Sequence, residues 1–378
     1  MGKGRLRIGV IGCGGIAQMM HLPFLQKNAD RFEIAALCDL SNKVLSALAR
    51  RYHLPDTGCF TDYQLMLKQN LDAVLVTSGG DHTPQVRAAL LAGAHVFVEK
   101  PLCYTQAQAL ELGRLAQEQK LRLMVGYMKR FDPAYQRARQ LLAGLGELRY
   151  VQLNTLHPEE EGYLYFQGLF QAEDIAPETI RHLRAQEDQA ITAAVGEIPA
   201  YLRAEYTDVL LGSMVHDINV LRGLLGEPQK VLFAEHWPQG EKPGGITTTM
   251  MFSPDLRVVY TWVFLAELRD YSQEIALMSA SQRLRLQFPS PYLRHFPTSL
   301  THQYMKDGAA VEEKITVNYD EAFEQELLAF YDCVVNDREP LTGADDARAD
   351  IAVLQQILAG LHPVGLSGEA AGYMLGRN

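Results

Sequence analysis

Short apolar runs alternate with amphipathic stretches through the first third of the chain. The runs match strands buried on both faces, and the stretches between them repeat apolar residues at helical spacing. The predicted strands are Leu6–Ile11, Phe32–Cys38, Ala73–Val76, Val96–Val98 and Leu121–Val125, and the predicted helices are Gln18–Gln26, Asn42–Tyr52, Pro84–Leu91 and Gln106–Gln119. This alternation predicts an α/β domain with a doubly wound parallel sheet, and it places a ligand at the carboxyl ends of the strands.

The pattern changes after Gly126, where strands begin to follow one another without helices between them. A polar, helix-rich stretch over 157–206 interrupts this part, and we interpret it as an insertion or a substrate-covering element. The predicted strands are Glu147–Leu156, Thr247–Phe252, Val258–Phe264 and Glu274–Met278, and the predicted helices are Pro133–Leu142, Val209–Leu225, Glu321–Val335 and Ala344–Leu361. Consecutive strands are typical of an open, mainly antiparallel sheet. We therefore predict two domains, 1–127 and 128–378, the second an α/β domain that carries the insertion.

A glycine-rich turn joins the first predicted strand to the helix after it. It has the form G-x-G-x-x-A, and between a strand and a helix this is a fingerprint of dinucleotide binding. Gly12 permits the tight turn, Gly14 lets the backbone approach a pyrophosphate, and Ala17 lets the helix pack closely. The N–H groups at Gly15 and Ile16 are then expected to hold phosphate oxygens.

Asp39 follows the second predicted strand and is a second candidate for cofactor binding. A carboxylate at this place accepts hydrogen bonds from the adenosine ribose and repels a 2′-phosphate, which favours NAD over NADP. The alternative is that Asp39 caps the helix that begins near Ser41. Lys43, Arg50 and Arg51 lie close by in the sequence and keep NADP open.

The composition is that of an ordinary globular protein, with 47% hydrophobic and 21% charged residues among 378. A formal net charge of -10 argues against non-specific nucleic-acid binding, which needs a basic face. The five cysteines are scattered without a C-x-x-C pair, so neither a disulfide framework nor a zinc site is predicted. Apolar runs are too short for a membrane span, and the first strand begins almost at once. We expect a reduced, cytoplasmic protein without a membrane partner.

Lys100 stands at the end of a predicted strand, in the sequence Glu99-Lys100-Pro101. Pro101 restricts the backbone of Lys100 to extended conformations. At the sheet edge where a nicotinamide would lie, this ammonium group is suited to point at a substrate hydroxyl or carbonyl. Burial beside a positive nicotinamide would lower its pKa toward the range useful for proton transfer. The alternative is a surface lysine at the end of a strand.

Further motifs extend along most of the chain. They are Thr77-Ser78 with His82, Ala92-Gly93, Glu99-Lys100-Pro101, Val125–Phe131 with Arg130, and Phe323, Glu326, Phe330, Pro340 and Thr342-Gly343. With the glycine-rich turn and Asp39, they resemble the glucose–fructose oxidoreductase/inositol dehydrogenase (Gfo/Idh/MocA) family everywhere except roughly 157–206. The resemblance implies a Rossmann domain, an α/β domain whose open sheet can serve dimerisation, and NAD(P)-dependent oxidation of sugars, polyols or related carbonyl compounds. It also implies that Lys100 is catalytic and that Thr77, Ser78, His82, Glu99, Lys100 and Arg130 contribute to the cofactor site.

In the family, the helix after the insertion usually reads Asp-x-x-x-His-x-x-Asp, and this chain departs from that pattern. His216 matches the histidine, but Gly212 and Asn219 stand at the two aspartate positions. His216 is a candidate acid–base group because an unperturbed histidine titrates near neutral pH; the alternative is a histidine packed in an apolar helix. Candidates to replace the lost carboxylate are His157, Tyr163, Tyr165, His182 and Ser213.

These features favour an NAD-dependent oxidoreductase that moves a hydride between nicotinamide and a secondary alcohol or ketone of a sugar-like, polyol-like or cyclitol-like substrate. Lys100 is expected to hydrogen-bond the reacting oxygen, and His216 to exchange its proton. Two alternatives stay open. One is an NAD-binding regulator without turnover, which Gly212 would suit, and the other is an NAD-dependent glycosidase, in which transient oxidation drives elimination. Because an open sheet face usually needs a partner, we expect a homo-oligomer, either a dimer or a tetramer.

Overall fold

The computed structural model describes residues 4–159, 164–239 and 242–361, and these residues form two compact units. Unit 1 comprises 4–127, 166–194 and 323–351, and unit 2 comprises the other described residues. The first segment of unit 1 ends at the domain boundary expected from the sequence. Unit 1 differs from the predicted first domain because it also takes most of the 157–206 insertion and a C-terminal segment, which the prediction assigned to the second domain.

The sheet of unit 1 has six strands, all paired in parallel. They are β1 Leu6–Ile11, β2 Phe32–Cys38, β3 Cys59–Phe60, β4 Ala73–Val76, β5 His95–Glu99 and β6 Leu123–Gly126. The spatial order β3-β2-β1-β4-β5-β6 is that of a Rossmann fold. The predicted doubly wound parallel sheet is therefore confirmed, and β3 was missed because two residues are too few to show a pattern.

The α-helices of the described ranges include one at or close to each of the eight predicted positions, and others that were not predicted individually. They are α1 Leu22–Lys27, α2 Asn42–Tyr52, α3 Tyr63–Met66, α4 Thr83–Leu91, α5 Gln106–Glu118, α6 Pro133–Leu142, α7 Pro177–Val195, α8 Ala200–Ala204, α9 Val215–Leu225, α10 Ala322–Val335 and α11 Ala344–Leu361. Local caps explain several of the starts. Ser41 accepts a hydrogen bond from the N–H of Val44 at the start of α2, and Thr105 forms a capping box with Gln108 at the start of α5.

Two of the predicted helices begin with wider, π-helical turns that the sequence did not indicate. The helix predicted at Gln18–Gln26 consists of a π-helical segment, Ala17–His21, followed by α1. The helix predicted at Val209–Leu225 starts earlier, with a π-helical segment at Glu205–Met214 that leads into α9. Such turns are frequently found at functional sites.

The sheet of unit 2 has eight strands and is antiparallel at every pairing except that of β7 with β10. The strands are β7 Leu148–His157, β8 Lys230–Gln239, β9 Lys242–Ser253, β10 Leu256–Phe264, β11 Ser272–Ser279, β12 Gln282–Phe288, β13 Ser299–Lys306 and β14 Ala309–Ile315. The predicted mainly antiparallel sheet is confirmed. Strands β8, β12, β13 and β14 were not bounded individually in the prediction, and β14, at the sheet edge, is largely exposed and has no apolar alternation that could have indicated it.

Within the described ranges, none of the helices combines the length and the apolar character that a bilayer crossing requires.

Gly223 lets α9 pack closely in unit 2. A Cβ at this position would lie 2.2 Å from Oη of Tyr135 and 2.4 Å from Cζ of Arg130. Both neighbours are buried, at 0% and 6% exposure, so they have little room to move away. The small residue therefore determines how near α9 lies to the residues that begin unit 2.

We expect Gly223→Ala to lower the free energy of unfolding by about 1–3 kcal/mol, because the added methyl overpacks a filled interior. Urea unfolding followed by circular dichroism measures this change. Gly144→Ala is the matched control, since its Cβ would make an ordinary 3.6 Å contact with the carbonyl oxygen of Leu141. Equal stability of the two variants would show that Gly223 is not a packing constraint.

Candidate functional site

The glycine-rich turn brings the ends of β1 and β4 together. Gly12 has φ +86°, and a Cβ there would lie 2.4 Å from the backbone nitrogen of Ser78. The N–H of Thr77 donates to the carbonyl of Ile11 at 2.8 Å, and its hydroxyl donates to the carbonyl of Gly12 at 2.5 Å. Only glycine fits this place, because both the positive φ and the close approach exclude a side chain.

The surface beside this turn is open. Gly14 is exposed, and a Cβ built on it would meet no atom within 4 Å. Gly15 and Ile16 are half-buried and lead into the π-helical segment that starts at Ala17. Exposed backbone at a helix start is suited to an anion such as a pyrophosphate.

Ser78 adds a polar group to the same edge. Its Oγ is buried and has no hydrogen-bond partner among the described residues. A buried hydroxyl without a hydrogen-bond partner destabilises the protein, and a ligand that hydrogen-bonds to it would remove this cost. The open backbone at Gly14 and this hydroxyl together fit a dinucleotide cofactor.

Asp39 connects the turn with the start of α2. Its Oδ2 accepts from the N–H of Cys13 at 2.8 Å, and its Oδ1 accepts from the N–H of Ser41 at 2.9 Å. The helix itself is capped by Ser41, whose Oγ accepts from the N–H of Val44 at 3.0 Å. The alternative in which Asp39 caps α2 is therefore wrong, and its role at the ribose stays a prediction.

His82 ties two loops at the sheet edge together. Its Nδ1 lies 2.7 Å from the carbonyl oxygen of Pro101, and its Nε2 lies 2.6 Å from that of Ser78. The residue is 1% exposed. We infer that His82 positions the loops that carry Ser78 and Lys100, which is a different role from the cofactor contact that the family resemblance implies.

Lys100 follows β5 and is half-buried, and its neighbour Glu99 is buried beneath it. Oε1 of Glu99 lies 2.7 Å from Nε2 of His21, whose side chain is fully buried. Burial would raise the pKa of Glu99, but the hydrogen bond and positive charge of His21 lower it overall. The positive charge of Lys100 also lowers the pKa of Glu99.

Glu326, on α10, joins this buried pair. Ligand atoms of His21, Glu99 and Glu326 lie within 4.8 Å of one another, which makes them the candidate metal ligands among the described residues. Burial raises the pKa of Glu326 well above its ordinary value, and Glu99 adds to the shift. His21 and Glu99 hydrogen-bond each other, whereas neither carboxylate oxygen of Glu326 has a hydrogen-bond partner among the described residues.

His216 lies in the first turn of α9 and is half-buried. Gly212 precedes it in the π-helical segment, where a Cβ would lie 3.1 Å from the carbonyl oxygen of Thr207. A side chain at Gly212 would therefore need a small backbone shift. In a regular α-helix, residues i and i+4 lie on the same face. Gly212 lies in a π-helical segment with wider turns, so positions 212 and 216 are not related in this way.

Asp217 is the centre of a buried polar cluster in unit 2. The residue is 1% exposed, and its carboxylate accepts hydrogen bonds from four side chains. Lys129 donates at 3.2 Å, the Thr155 hydroxyl donates at 2.9 Å, and the Tyr260 hydroxyl and the Gln273 amide complete the set. A carboxylate is tolerated in an interior when its lone pairs are satisfied in this way.

The cluster also changes the protonation of its members. Burial lowers the pKa of Lys129, and the nearby charge of Asp217 opposes that shift. Burial raises the pKa of Tyr260 well above its ordinary value, with Asp217 adding to it. Sequence analysis missed this cluster. Polar residues at inward positions of apolar strands, such as Thr155 and Tyr260, were the available sign.

Arg130 lies in unit 2 beside the start of α6. It is 6% exposed, and its guanidinium donates to the carbonyl and the side-chain oxygen of Asn219, at 3.2 and 3.1 Å. Asn219 therefore fills a family aspartate position with a neutral acceptor. This contact gives Arg130 a packing role in unit 2, and its expected contribution to the cofactor site stays a prediction.

The residues predicted to replace the missing carboxylate at position 212 do not all lie in the same unit. Ser213 accepts a hydrogen bond from Nε1 of Trp262 at 3.0 Å, and the ring of His157 lies 5.9 Å from that of Trp262, all in unit 2. His182 is exposed on α7, in unit 1. Tyr163 and the side chain of Tyr165 lie outside the described residues. Ser213 and His157 thus remain as polar groups in the same unit as His216.

Comparison with known proteins gives similarity of two kinds. Residues 6–127 match the family model GFO_IDH_MocA, described as an oxidoreductase family with an NAD-binding Rossmann fold. The chain is 35% identical over 139 residues to the inositol 2-dehydrogenase/D-chiro-inositol 3-dehydrogenase of Shouchella clausii, which covers 36% of this chain and 40% of that protein. The alignments with the first three curated relatives span 40 to 48% of those proteins' own lengths.

Solved structures resemble the whole chain at lower identity. The UDP-N-acetylglucosamine 3-dehydrogenase GnnA of Acidithiobacillus ferrooxidans has a TM-score of 0.70 and 20% identity, covering 94% of this chain and 98% of that one. The apo scyllo-inositol dehydrogenase of Lactobacillus casei has a TM-score of 0.70 and 17% identity, covering 97% and 99%. At such identities these likenesses concern the fold.

We expect Gly14→Ala to weaken NADH binding roughly tenfold or more, equivalent to about 1.4 kcal/mol, because the methyl would occupy the space of the pyrophosphate. Its thermal unfolding temperature should match the wild type, since the Cβ meets no atom. Gly12→Ala should lose both binding and stability. Fluorescence titration and thermal unfolding separate the two effects, and wild-type affinity in Gly14→Ala would place the pyrophosphate elsewhere.

We expect Asp217→Asn to destabilise the protein by about 3–5 kcal/mol, because it leaves the buried Lys129 charge without its partner. The double variant with Lys129→Met should cost less than the sum of the two single changes, since it removes both charges. Urea unfolding of the four proteins measures the coupling. If the losses in unfolding free energy of the two single variants add up to that of the double variant, the ion pair itself contributes nothing to stability.

Proposed function

We propose that this protein, which belongs to the GFO_IDH_MocA oxidoreductase family through residues 6–127, is an NAD-dependent dehydrogenase or reductase. It would transfer a hydride between nicotinamide and a secondary alcohol or ketone of a sugar-like, polyol-like or cyclitol-like substrate. The family membership expected from the sequence is confirmed, whereas the activity of the whole chain is our proposal.

The observation that carries the proposal is the edge of the sheet in unit 1. The close turn at Gly12, the open backbone at Gly14 and the free hydroxyl of Ser78 provide what a dinucleotide needs. A bound nicotinamide would supply the hydride chemistry, and the protein would supply alignment and electrostatics.

The preference for NAD is the finer part of the proposal. Asp39 accepts two backbone N–H groups and keeps lone pairs for the ribose hydroxyls. Its charge disfavours a 2′-phosphate. The family resemblance supports a nicotinamide cofactor of either kind, so the choice rests on this carboxylate.

Lys100 would hydrogen-bond the oxygen of the reacting carbon. It is half-buried and directly follows β5, at the strand end where the ligand of a Rossmann fold binds. As charge develops on that oxygen during hydride transfer, a fixed cation stabilises it.

His216 would act as an acid–base group in proton exchange with the substrate. The first turn of α9 holds it next to Asp217, whose hydrogen-bonded cluster fixes the backbone at this point. This role stays a prediction from the sequence pattern, as do the cytoplasmic location and the homo-oligomer.

A second candidate function follows from Gly212. Without the family carboxylate, the protein could bind NAD as a regulator without turnover, or use it for glycosidic cleavage without net oxidation. Retention of both Lys100 and His216 favours turnover. The substrate names of the curated relatives, inositols among them, indicate the compounds to try first.

We expect Lys100→Ala to lower turnover about 10²-fold or more, because an electrostatic and proton-transfer partner of the reacting oxygen is lost. The measurement is nicotinamide absorbance with NAD or NADH against cyclitols, aldoses, sugar acids and oxo-sugars, and the exposed Lys68→Ala variant is the matched control.

The same assay distinguishes the alternatives. Full turnover in Lys100→Ala would overturn the role of Lys100. Sugar release without a net change in absorbance would indicate the glycosidase, and tight NADH binding with no conversion of any compound would favour the regulator.

A further inference from the structure

The 166–194 segment of unit 1 lies against the loops that form its cofactor edge. Gln18 and Phe170 exchange two hydrogen bonds, from Nε2 to the carbonyl at 3.0 Å and from the Phe170 N–H to Oε1 at 2.8 Å. Leu169 comes within 3.9 Å of a Cβ built on Gly15. The segment is thus attached at the helix that follows the glycine-rich turn.

A second attachment is found beyond β4. The hydroxyl of Tyr104 donates to Glu187, and a Cβ built on Gly80 would lie 2.7 Å from Oε2 of Glu187. These two attachments lie near the two ends of the 166–194 segment. They hold the residues between Phe170 and Glu187 at the cofactor edge of unit 1.

Asp174 lies between these attachments, at the start of α2. The hydroxyl of Ser41 donates to its Oδ1, and the N–H of Lys43 donates to its Oδ2 at 3.0 Å. These bonds lower the pKa of Asp174, that from Ser41 most, so the carboxylate is charged at neutral pH. Asp174 therefore occupies hydrogen-bond donors in the first turn of α2 with a negative group.

The same turn already holds a second carboxylate. Asp39 accepts from the N–H of Cys13 and the N–H of Ser41. Together the two carboxylates accept the N–H groups of Cys13, Ser41 and Lys43 and the hydroxyl of Ser41. A 2′-phosphate bound after β2 needs such donors and a positive side chain.

Positive side chains are poorly placed to receive that phosphate. Arg50 and Arg51 belong to the last turn of α2, about 12 Å along the helix axis from its start. Lys43 is near, but its charge acts on Asp174. The basic residues that kept NADP open in the sequence do not offset the two carboxylates.

We propose that Asp174, supplied by the 166–194 segment, is a second determinant of coenzyme choice and excludes the 2′-phosphate of NADP by holding the donors at Ser41 and Lys43 under a negative charge. This inference rests on the proposed function, because it concerns the same cofactor edge. It assigns to the segment a role in coenzyme selection, in addition to the role of Asp39.

The test is isothermal titration of the full chain with NAD⁺ and with NADP⁺. Asp174→Asn keeps an acceptor for Ser41 while removing the charge, and it should raise NADP⁺ affinity roughly tenfold, the order expected when a like charge about 5 Å from a phosphate is removed in water-like screening. NAD⁺ affinity should stay unchanged. Glu173→Gln, an exposed neutralisation one residue away, is the matched control, and Asp174→Ser is a second variant should the first fold poorly.

Each outcome decides the inference. A gain for NADP⁺ in both Asp174 variants and not in Glu173→Gln supports it. Unchanged NADP⁺ affinity, with NAD⁺ bound as before, overturns it and leaves the proposed function intact. A wild-type protein that binds NADP⁺ as tightly as NAD⁺ also overturns it, and one that binds neither overturns the proposed function as well.

Discussion

The close approach of the Gly12 backbone to Ser78 is the constraint on which unit 1 depends. It brings the carboxyl ends of β1 and β4 within hydrogen-bonding distance, where Thr77 bonds the carbonyl of Gly12. The adjoining N–H of Cys13 then meets Asp39 after β2. Three strand ends are thus connected by hydrogen bonds between backbone groups of the turn and the side chains of Thr77 and Asp39, and a side chain at Gly12 would clash with Ser78.

Unit 2 is organised by a buried charge instead of a close backbone contact. Asp217 has donors from the 3₁₀ turn Met128–Phe131 and from three strands of the unit 2 sheet, β7, β10 and β11, so its position is determined by residues far apart in the sequence. Removing a carboxylate from water is costly, and satisfaction of its lone pairs offsets that cost. The start of α9, and with it His216, is located by this arrangement.

Local rules explain what could be predicted. The bounds of β1, β2 and α2 agree with the sequence because buried parallel strands, an amphipathic helix and a serine cap are each encoded by neighbouring residues. The glycine required in the turn and the aspartate after β2 could be predicted for the same reason, because each depends only on neighbouring residues. The prediction missed strand β14 because an exposed edge strand needs no apolar alternation.

The sequence by itself determined the Rossmann order of elements, the glycine-rich turn and the candidates Asp39, Lys100 and His216, since each depends on periodicity or on the conformations that single residues allow. Only the tertiary structure decided that 166–194 joins unit 1, that Asp174 meets Ser41, and that Lys129 pairs with Asp217. These contacts join residues 88 to 133 positions apart. No local pattern specifies them, because they form only when packing brings distant donors to a carboxylate that burial would otherwise destabilise.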